Sequence, residues 1–268
     1  MFDNAIISGI TSDIGIAIAR DWLTQGVKVH GTYRTESNLP SDIRARVSSL
    51  TLCDFENVTS VDECLLELSY RDWDVFVGLA ATPGPLVCFG QEKWVDWLSA
   101  FEANFLNQLR LLRGLIQRVD DRPRSVVFLA GPGTNSPPIE MSSLILAKLG
   151  LIKFCEILSV ERPEISAFTL GPGWVKTKTH KEVLAREDLS ERKRQQLVDF
   201  VKSDNGASVN EVVEGLNLIL KHAGVARGRN FSLAGDLLHT EGLYDYILGE
   251  PDALKLRRHS NDWRPTID

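Results

Sequence analysis

Short β-rich runs alternate with longer segments of helical periodicity along almost the whole chain, and this alternation limits the fold more than any other feature. The predicted strands are residues 4–9, 27–33, 48–53, 73–81, 124–131, 165–171 and 230–235. The predicted helices are residues 14–25, 58–69, 92–118, 141–160 and 209–222. Apolar strands that are linked by helices are typical of a parallel sheet covered on both faces. We therefore predict an α/β fold: a single Rossmann-type, doubly wound domain over residues 1–268, with a seven-stranded parallel sheet and helices on both faces.

Composition and charge exclude several classes of function. The formal net charge is −6, and the longest basic cluster, Arg192–Arg194, lies among glutamates and glutamines, so we expect no nucleic-acid partner. No apolar stretch reaches the ~18 residues that a membrane span needs, and the start "MFDNAIISGI" enters a strand at once. The four cysteines form no C-x-x-C pair, which indicates free thiols. We therefore expect a soluble, cytoplasmic protein with neither a metal site nor a membrane partner.

The first predicted strand, turn and helix contain a glycine-rich segment, "ISGITSDIGIAIARDWLTQG". Ser8, Gly9, Asp13 and Gly15 lie between the strand and the helix, where a pyrophosphate can approach the backbone and meet the free N–H groups of the helix start. The alternative is a tight turn that binds no ligand. The segment therefore indicates a dinucleotide site, which other parts of the chain must support.

The sequence resembles the short-chain dehydrogenases/reductases in motifs that follow one another at the family's spacing, from about residue 5 to 235. The family's first turn reads T-G-x-x-x-G-x-G, and this chain reads S-G-I-T-S-D-I-G, with an aspartate in place of the middle glycine. The resemblance implies cofactor contacts from Ser8, Gly9, Asp13, Ile14 and Gly15.

Further motifs extend this resemblance. "CDFENVTSVDE" is similar to the region whose aspartate, here Asp54, meets the adenine amino group, and "VFVGLAATPGP" stands where the family has N-N-A-G, with Ala80 among its small residues. "FEANFLNQLRLL" resembles the helix whose asparagine, here Asn104, supports the active site. "LGPGWVKTKT" resembles the element that cradles the nicotinamide carboxamide. It implies contacts from Pro172, Gly173 and Thr177.

The residues after the second strand bear on which nicotinamide cofactor binds. An acid at the end of that strand would accept hydrogen bonds from a ribose 2′-hydroxyl and repel a 2′-phosphate, but "VHGTYRTES" has no acid there. Thr32, Arg34, Thr35 and Ser37 offer a cation and hydroxyls, which suit a phosphate. We therefore expect NADP(H), with NAD(H) as the alternative. Arg34 would otherwise be a surface arginine without a ligand.

The catalytic motif of the family is incomplete in this chain. In "MSSLILAKLG", Lys148 stands at the position of the family's lysine, which holds the ribose and lowers the pKa of a tyrosine. The tyrosine position, four residues earlier, holds Leu144. The serine that polarises the carbonyl in the family falls in "FLAGPGTNSPP", where Ala130, Gly131 and Pro132 occupy its position and hydroxyls return only at Thr134 and Ser136. The usual proton donor is therefore missing.

Three hypotheses follow from the missing donor. In the first, the chain is an oxidoreductase with an atypical acid, for which His180, Ser142, Ser143 and Lys148 are candidates. In the second, it is a catalytically inactive dinucleotide-binding protein with a regulatory or scaffolding role. In the third, the site performs other chemistry on a nucleotide-linked substrate. The candidate catalytic residues are Asn104 and Lys148, which the resemblance implies, and His180, as a candidate for the relocated acid.

The less regular segment 172–208 corresponds to the family's substrate lid. Its charges could meet an anionic small molecule, such as a phosphorylated or nucleotide-linked sugar, or simply be solvated; they include Lys176, Lys178, His180 and Lys181. The tail, residues 237–268, could cap the active site or pack on a partner subunit through Tyr244, Tyr246, Arg257, Arg258 and Trp263. As in the family, the helices at 92–118 and 141–160 are expected to pair with their mates in a homodimer or homotetramer.

Overall fold

The computed structural model describes residues 2–35, 39–118, 120–134, 137–237 and 241–257. Its seven strands form one sheet in the order β3-β2-β1-β4-β5-β6-β7, and every neighbouring pair is parallel. The strands are β1 (Asn4–Ser8), β2 (Lys28–Tyr33), β3 (Ser49–Leu52), β4 (Val75–Gly78), β5 (Arg124–Leu129), β6 (Ile165–Gly171) and β7 (Asn230–Ser232). The predicted seven-stranded parallel sheet is confirmed.

Helices cover both faces of this sheet. They are α1 (Asp13–Thr24), α2 (Ser41–Arg44), α3 (Val58–Leu68), α4 (Trp94–Phe101), α5 (Asn107–Ile116), α6 (Ser142–Glu161), α7 (Lys178–Leu184), α8 (Glu191–Lys202), α9 (Val209–Lys221), α10 (Ala223–Ala226) and α11 (Leu243–Gly249). Among the residues that the structure describes, no helix combines the length and the apolar character required to cross a lipid bilayer.

Two apolar layers place the helices on opposite faces. One layer joins α1 and α9 to the sheet, and the indole N–H of the fully buried Trp22 donates to the side-chain oxygen of Asn217 at 2.8 Å. The other layer joins α3, α5 and α6, with Cys64, Leu111 and Leu151 buried in it. The burial of apolar side chains on both faces explains why the strands read as nearly continuous hydrophobic runs.

The predicted helix over residues 92–118 is interrupted. A π-helical turn, Glu102–Leu106, separates α4 from α5. Asn104 lies in this turn, and its side-chain nitrogen donates to the carbonyls of Ala100 and Thr82, both at 2.8 Å. A π-helical turn adds one residue to a helix, and helical periodicity alone does not predict it. Such turns are often found at functional sites.

The segment 172–208 is more regular than the sequence indicated, since it contains α7 and α8. Helix α8 is highly charged, and only Leu197 and Phe200 of its residues are buried. Its apolar residues recur with helical periodicity as clearly as those of α1, but charged side chains dominate the segment, and its composition therefore suggests an irregular lid. A second π-helical turn, Leu233–Leu237, occupies the end of the predicted strand 230–235.

The strand order reverses between β1 and β4, because α1 leads from β1 outward to β2 while β4 continues on the other side. In open α/β sheets, ligands bind in the crevice at the carboxyl ends of the strands beside this point. The fold therefore locates the candidate site before any side chain is considered.

Candidate functional site

A cleft of about 1150 Å³ lies at the carboxyl ends of the strands. The turn after β1, the loops after β4 and β5, and the lid helices α7 and α8 all contribute to its walls. Of the predicted site residues, those lining it are Gly9, Arg34, Asp54, Ala80, Gly173 and His180. Thr11, Ser12, Lys193 and Gln196 also line it, and the motif comparison did not single them out.

The glycine-rich turn packs so closely that two of its glycines are required. Gly9 has φ +77°, and a Cβ there would lie 3.0 Å from the backbone nitrogen of Ala80. A Cβ on Gly15 would lie 2.7 Å from the carbonyl oxygen of Gly9. The Ser12 hydroxyl caps α1 by accepting from the Gly15 amide and donating to the Gly9 carbonyl, both at 3.0 Å. Ser8 is fully buried instead.

Asp13 is directed toward the lid. Its carboxylate accepts a hydrogen bond from the backbone amide of Lys178 at 2.6 Å, and the Lys178 ammonium donates to the carbonyl of Thr11 at 2.6 Å. Ile14 follows as the second residue of α1. The glycine-rich turn and the lid are therefore in direct contact, although they lie far apart in the sequence.

Residues after β2 and β3 line the end of the cleft where the family resemblance predicts the adenosine. The Arg34 side chain is 63% exposed and its guanidinium lies 3.5 Å from Glu56. Asp54 lines the cleft and accepts from the Glu56 amide at 3.0 Å. Thr35 is exposed there, whereas the buried Thr32 hydroxyl accepts from the Gly9 amide at 3.1 Å. Thr32 therefore supports the glycine-rich turn and does not face a phosphate. The predicted Ser37 lies outside the described residues.

Asn104 acts through the loop that follows β4. It is fully buried, and besides its donor contacts its side-chain oxygen accepts from the Thr82 amide at 3.1 Å. The neighbouring Gln108, which the motif comparison missed, donates to the Ala80 carbonyl at 2.8 Å. These amide side chains fix the loop that forms one wall of the cleft.

Lys148 lies beneath the wall formed by Gly131. It is 5% exposed, and a Cβ on Gly131 would lie 3.1 Å from its Cγ. Within the described residues, no hydrogen bond or ion pair reaches its ammonium group, and burial lowers the pKa of Lys148 to about 8. Leu144 lines the cleft, as the family's tyrosine position would. The structure therefore brings the lysine, the leucine and the glycine together.

The two serines proposed as proton donors, Ser142 and Ser143, do not line the cleft. The Ser142 hydroxyl accepts from the indole N–H of Trp97 at 2.8 Å, and Ser143 is buried below the loop at Gly84. Thr134 does line the cleft. Ser136 lies outside the described residues. Neither Ser142 nor Ser143 is thus positioned to protonate a ligand in the cleft.

His180 lines the cleft between aromatic rings. Its ring centroid lies 5.8 Å from that of Trp174 and 5.2 Å from that of Phe200. Its Nδ1 accepts from the Thr177 amide at 3.4 Å, which makes Thr177 and His180 the first-turn cap of α7. Burial lowers the pKa of His180 below its usual value of 6.5. The imidazole is therefore mostly neutral at neutral pH, and its acidic form is scarce.

Two of the lid lysines are engaged with the protein. Lys176 donates to the Ser203 carbonyl, and Lys178 is bound to the glycine-rich turn. Lys181 is exposed. Lys193 of α8 lines the cleft, is half-buried and makes no ion pair with any described residue. Of these lysines, Lys193 is the cation best placed to meet a substrate.

The tail packs on its own domain. Tyr244 stacks on His222 with ring centroids 3.9 Å apart, Tyr246 is largely exposed, and Arg257 pairs with Glu156 at 2.7 Å. Neither Tyr244 nor Tyr246 lines the cleft, but residues 254–256 do. Arg258 and Trp263 lie outside the described residues.

Comparison with known proteins places this geometry in a known fold. No protein-family model matches the chain. A curated protein of Streptomyces coelicolor, described as "Putative ketoacyl reductase", is 25% identical over 190 residues, which are 65% of this chain and 70% of that protein.

Solved structures resemble the chain over most of its length. A short-chain dehydrogenase/reductase from Saccharomyces cerevisiae has a TM-score of 0.77 at 15% identity and covers 91% of this chain and 99% of its own. An actinorhodin polyketide ketoreductase variant with NADPH has a TM-score of 0.73 at 21% identity and covers 89% and 98%. Levodione reductase has a TM-score of 0.75 at 16% identity and covers 86% and 95%. The chain therefore has the fold of the short-chain dehydrogenases/reductases.

Proposed function

We propose that this chain is a short-chain dehydrogenase/reductase that binds NADP(H) in the cleft and acts as an oxidoreductase on a small carbonyl or hydroxyl compound. The observation that carries the proposal is that the glycine-rich turn and Gly131 line one cleft at the strand-order reversal, with the buried Lys148 packed directly against Gly131. A dinucleotide fits these residues, because Gly9, Thr11 and Ser12 line the cleft immediately before the first turn of α1, where backbone N–H groups can bind a pyrophosphate. The bound nicotinamide would supply or accept the hydride.

We assign the proton transfer to Lys148, which does not itself line the cleft but packs against Gly131, a residue of the cleft wall without a side chain. An acid is most effective when its pKa lies near the working pH, and the pKa of Lys148 is about 8. His180, whose pKa is lowered below 6.5, is largely unprotonated at neutral pH and is the weaker candidate. Leu144 can neither donate nor accept a proton. Asn104 holds the loop after β4 and acts as a positioning residue.

The substrate is proposed to be anionic, with a phosphorylated or nucleotide-linked sugar as one candidate class. Lys193 and Gln196 extend from α8 into the part of the cleft that Leu144 and Met141 also line. A half-buried cation without an ion-pair partner among the described residues favours a ligand that brings a negative charge. A ketoacyl compound, the class in the name of the Streptomyces coelicolor protein, is the other class to be assayed.

The test is oxidation of NADPH, followed by its absorbance, with a panel of ketones, ketoacyl thioesters and nucleotide sugars. We expect slow turnover whose rate falls as the pH rises through about 8, because the lysine must be protonated to donate. A fall centred below pH 6.5 would assign the donor to His180 instead. Tight NADPH binding without any turnover would support the second candidate function, a non-catalytic dinucleotide-binding protein, which the leucine and glycine at the acid and serine positions favour.

Cofactor preference is expected to depend on Arg34. Replacing Arg34 by Asp removes a cation from the adenosine end and adds an anion, so NADPH affinity should fall at least about 10-fold while NADH affinity changes little. Fluorescence titration with both cofactors measures this. Arg20→Asp is the matched control, because Arg20 is an exposed arginine of α1 that does not line the cleft. An unchanged preference in Arg34→Asp would show that another group reads the phosphate.

The oligomer is proposed to be a homodimer or homotetramer formed through α4 and α6. These helices expose large apolar side chains, including Trp94, Val95, Leu146 and Val160, the last being 77% exposed. Large apolar side chains exposed on two helices that pack together are typical of subunit interfaces. A monomer at micromolar concentration in sedimentation velocity would contradict the proposal.

A further inference from the structure

Two reciprocal hydrogen bonds join the lid to the glycine-rich turn. The Asp13 carboxylate accepts from the Lys178 backbone amide, and the Lys178 side chain donates to the Thr11 carbonyl, each at 2.6 Å. Each residue therefore contributes one side chain, and the two bonds connect segments that are 165 positions apart. Both side chains are half-buried, which makes these bonds less exposed to competition from water than surface contacts are.

The Asp13 carboxylate is free for this contact because α1 does not need it as a cap. The Ser12 hydroxyl already accepts from the Gly15 amide at 3.0 Å. On the lid side, the first amide of α7 belongs to Lys178, and its acceptor is Asp13. A glycine at position 13, as in the turn that this chain resembles, would leave that amide without this acceptor.

The segment of the lid between α7 and α8 has separate hydrogen bonds to the rest of the protein. The Arg186 guanidinium donates to the Gly84 carbonyl at 2.7 Å, and the Ser190 hydroxyl donates to Glu140 at 2.8 Å. If the two bonds to the glycine-rich turn open, α7 can move while these contacts keep the rest of the lid in place. Thr11 and Lys178 both line the cleft, so this movement changes access to the part where the pyrophosphate would lie.

We infer that Asp13 and Lys178 form a latch that holds α7 closed over the pyrophosphate part of the cleft, so that a dinucleotide enters and leaves while the latch is open. The identity of the ligand rests on the function proposed above. The latch itself is a property of the free chain. It sets the rates of exchange more than the affinity, because the same two bonds close with and without the ligand.

Hydrogen exchange of the free protein tests the latch without any cofactor. In Asp13→Ala, the amide of Lys178 loses its acceptor, and we expect a peptide over residues 175–183 to exchange at one amide about 10-fold or more faster than in the wild type. Asp13→Asn keeps an acceptor oxygen and should exchange at an intermediate rate. Lys178→Met removes the second bond and provides an independent variant if Asp13→Ala does not fold. Unchanged exchange in both Asp13→Ala and Lys178→Met would overturn the inference.

Stopped-flow binding of NADPH then tests the consequence for the ligand. In Asp13→Ala, the association and dissociation rates should both rise by a similar factor, with the dissociation constant within about 3-fold of the wild-type value. A changed affinity with an unchanged association rate would identify Asp13 as a ligand contact and overturn the latch. If no dinucleotide binds to the wild type, the proposed function fails, and the exchange measurement alone decides whether the latch exists.

Discussion

Leu144→Tyr combined with Gly131→Ser is expected to raise the rate of ketone reduction by about 10²–10⁴-fold over the wild-type chain, the range that a positioned general acid contributes. Leu144 lines the cleft, so a phenol there would face the ligand. A Cβ at position 131 would lie 3.1 Å from Cγ of Lys148, so the lysine side chain must shift slightly to accept the serine, whose hydroxyl then stands beside the lysine at the cleft wall. Steady-state oxidation of NADPH with a substrate that the wild type turns over slowly measures the gain.

Glu161→Tyr is the control for this pair. Glu161 is on the same helix, is exposed and does not line the cleft, so a tyrosine there should leave the rate unchanged. If the double variant binds NADPH as the wild type does and gains no activity, hydride transfer to a carbonyl is not the reaction of this site. The non-catalytic role would then be preferred.

Lys148→Met is expected to stabilise the free protein at neutral pH while weakening NADPH binding. Burial lowers the pKa of this lysine from 10.5 to about 8, which corresponds to a cost of about 3 kcal/mol for keeping the charged form in the folded state. Below pH 8 the whole cost is present. Between about pH 8 and 10.5 it disappears, because the folded state releases its proton before the unfolded state does. Methionine carries no charge, so the variant has no such free-energy cost at any pH.

Urea denaturation at a series of pH values measures this effect as the difference between variant and wild type. The free energy of unfolding of Lys148→Met should exceed the wild-type value by up to about 3 kcal/mol at pH 7, and the difference should shrink above pH 8. Lys153→Met, on the same helix, removes a half-exposed lysine that pairs with Glu156 and should give no such pH-dependent gain. A constant difference across the pH range would contradict the assignment to Lys148.

The sheet could be predicted because its strands are locally distinctive. Runs such as Ile165–Gly171 are apolar on both faces and are bounded by turn residues, so their burial can be inferred without knowledge of the rest of the fold. The ends of a strand cannot be located from the sequence where the apolar pattern continues beyond the strand itself. The predicted strand at 73–81 is only Val75–Gly78, because the small residues after it form the wall of the cleft.

The contacts of the site could be predicted only in part. The spacing of the motifs predicted that Gly9, Ala80 and Gly173 lie at one cleft, because each follows a strand and the carboxyl ends of these strands are adjacent. It could not show that Thr32 serves the glycine-rich turn or that Lys178 reaches Asp13, because each contact depends on how the lid and the strands pack in three dimensions. The sequence signal that was available is the aspartate itself, a charged side chain where the similar turns have none.

The cleft is assembled from both ends of the described chain: its first wall is the turn at Gly9, and residues 254–256 supply another. The carbonyl of Leu254 also accepts from the Asn230 amide at 2.8 Å, which ties this late segment to the edge strand β7. Because a nascent chain emerges from the ribosome with its N-terminal part first, the glycine-rich turn can form long before the wall that completes the cleft. A dinucleotide that binds as proposed above would therefore not template the early stages of biosynthesis, and its protection of this protein in the cell would begin only after residues 254–256 have docked.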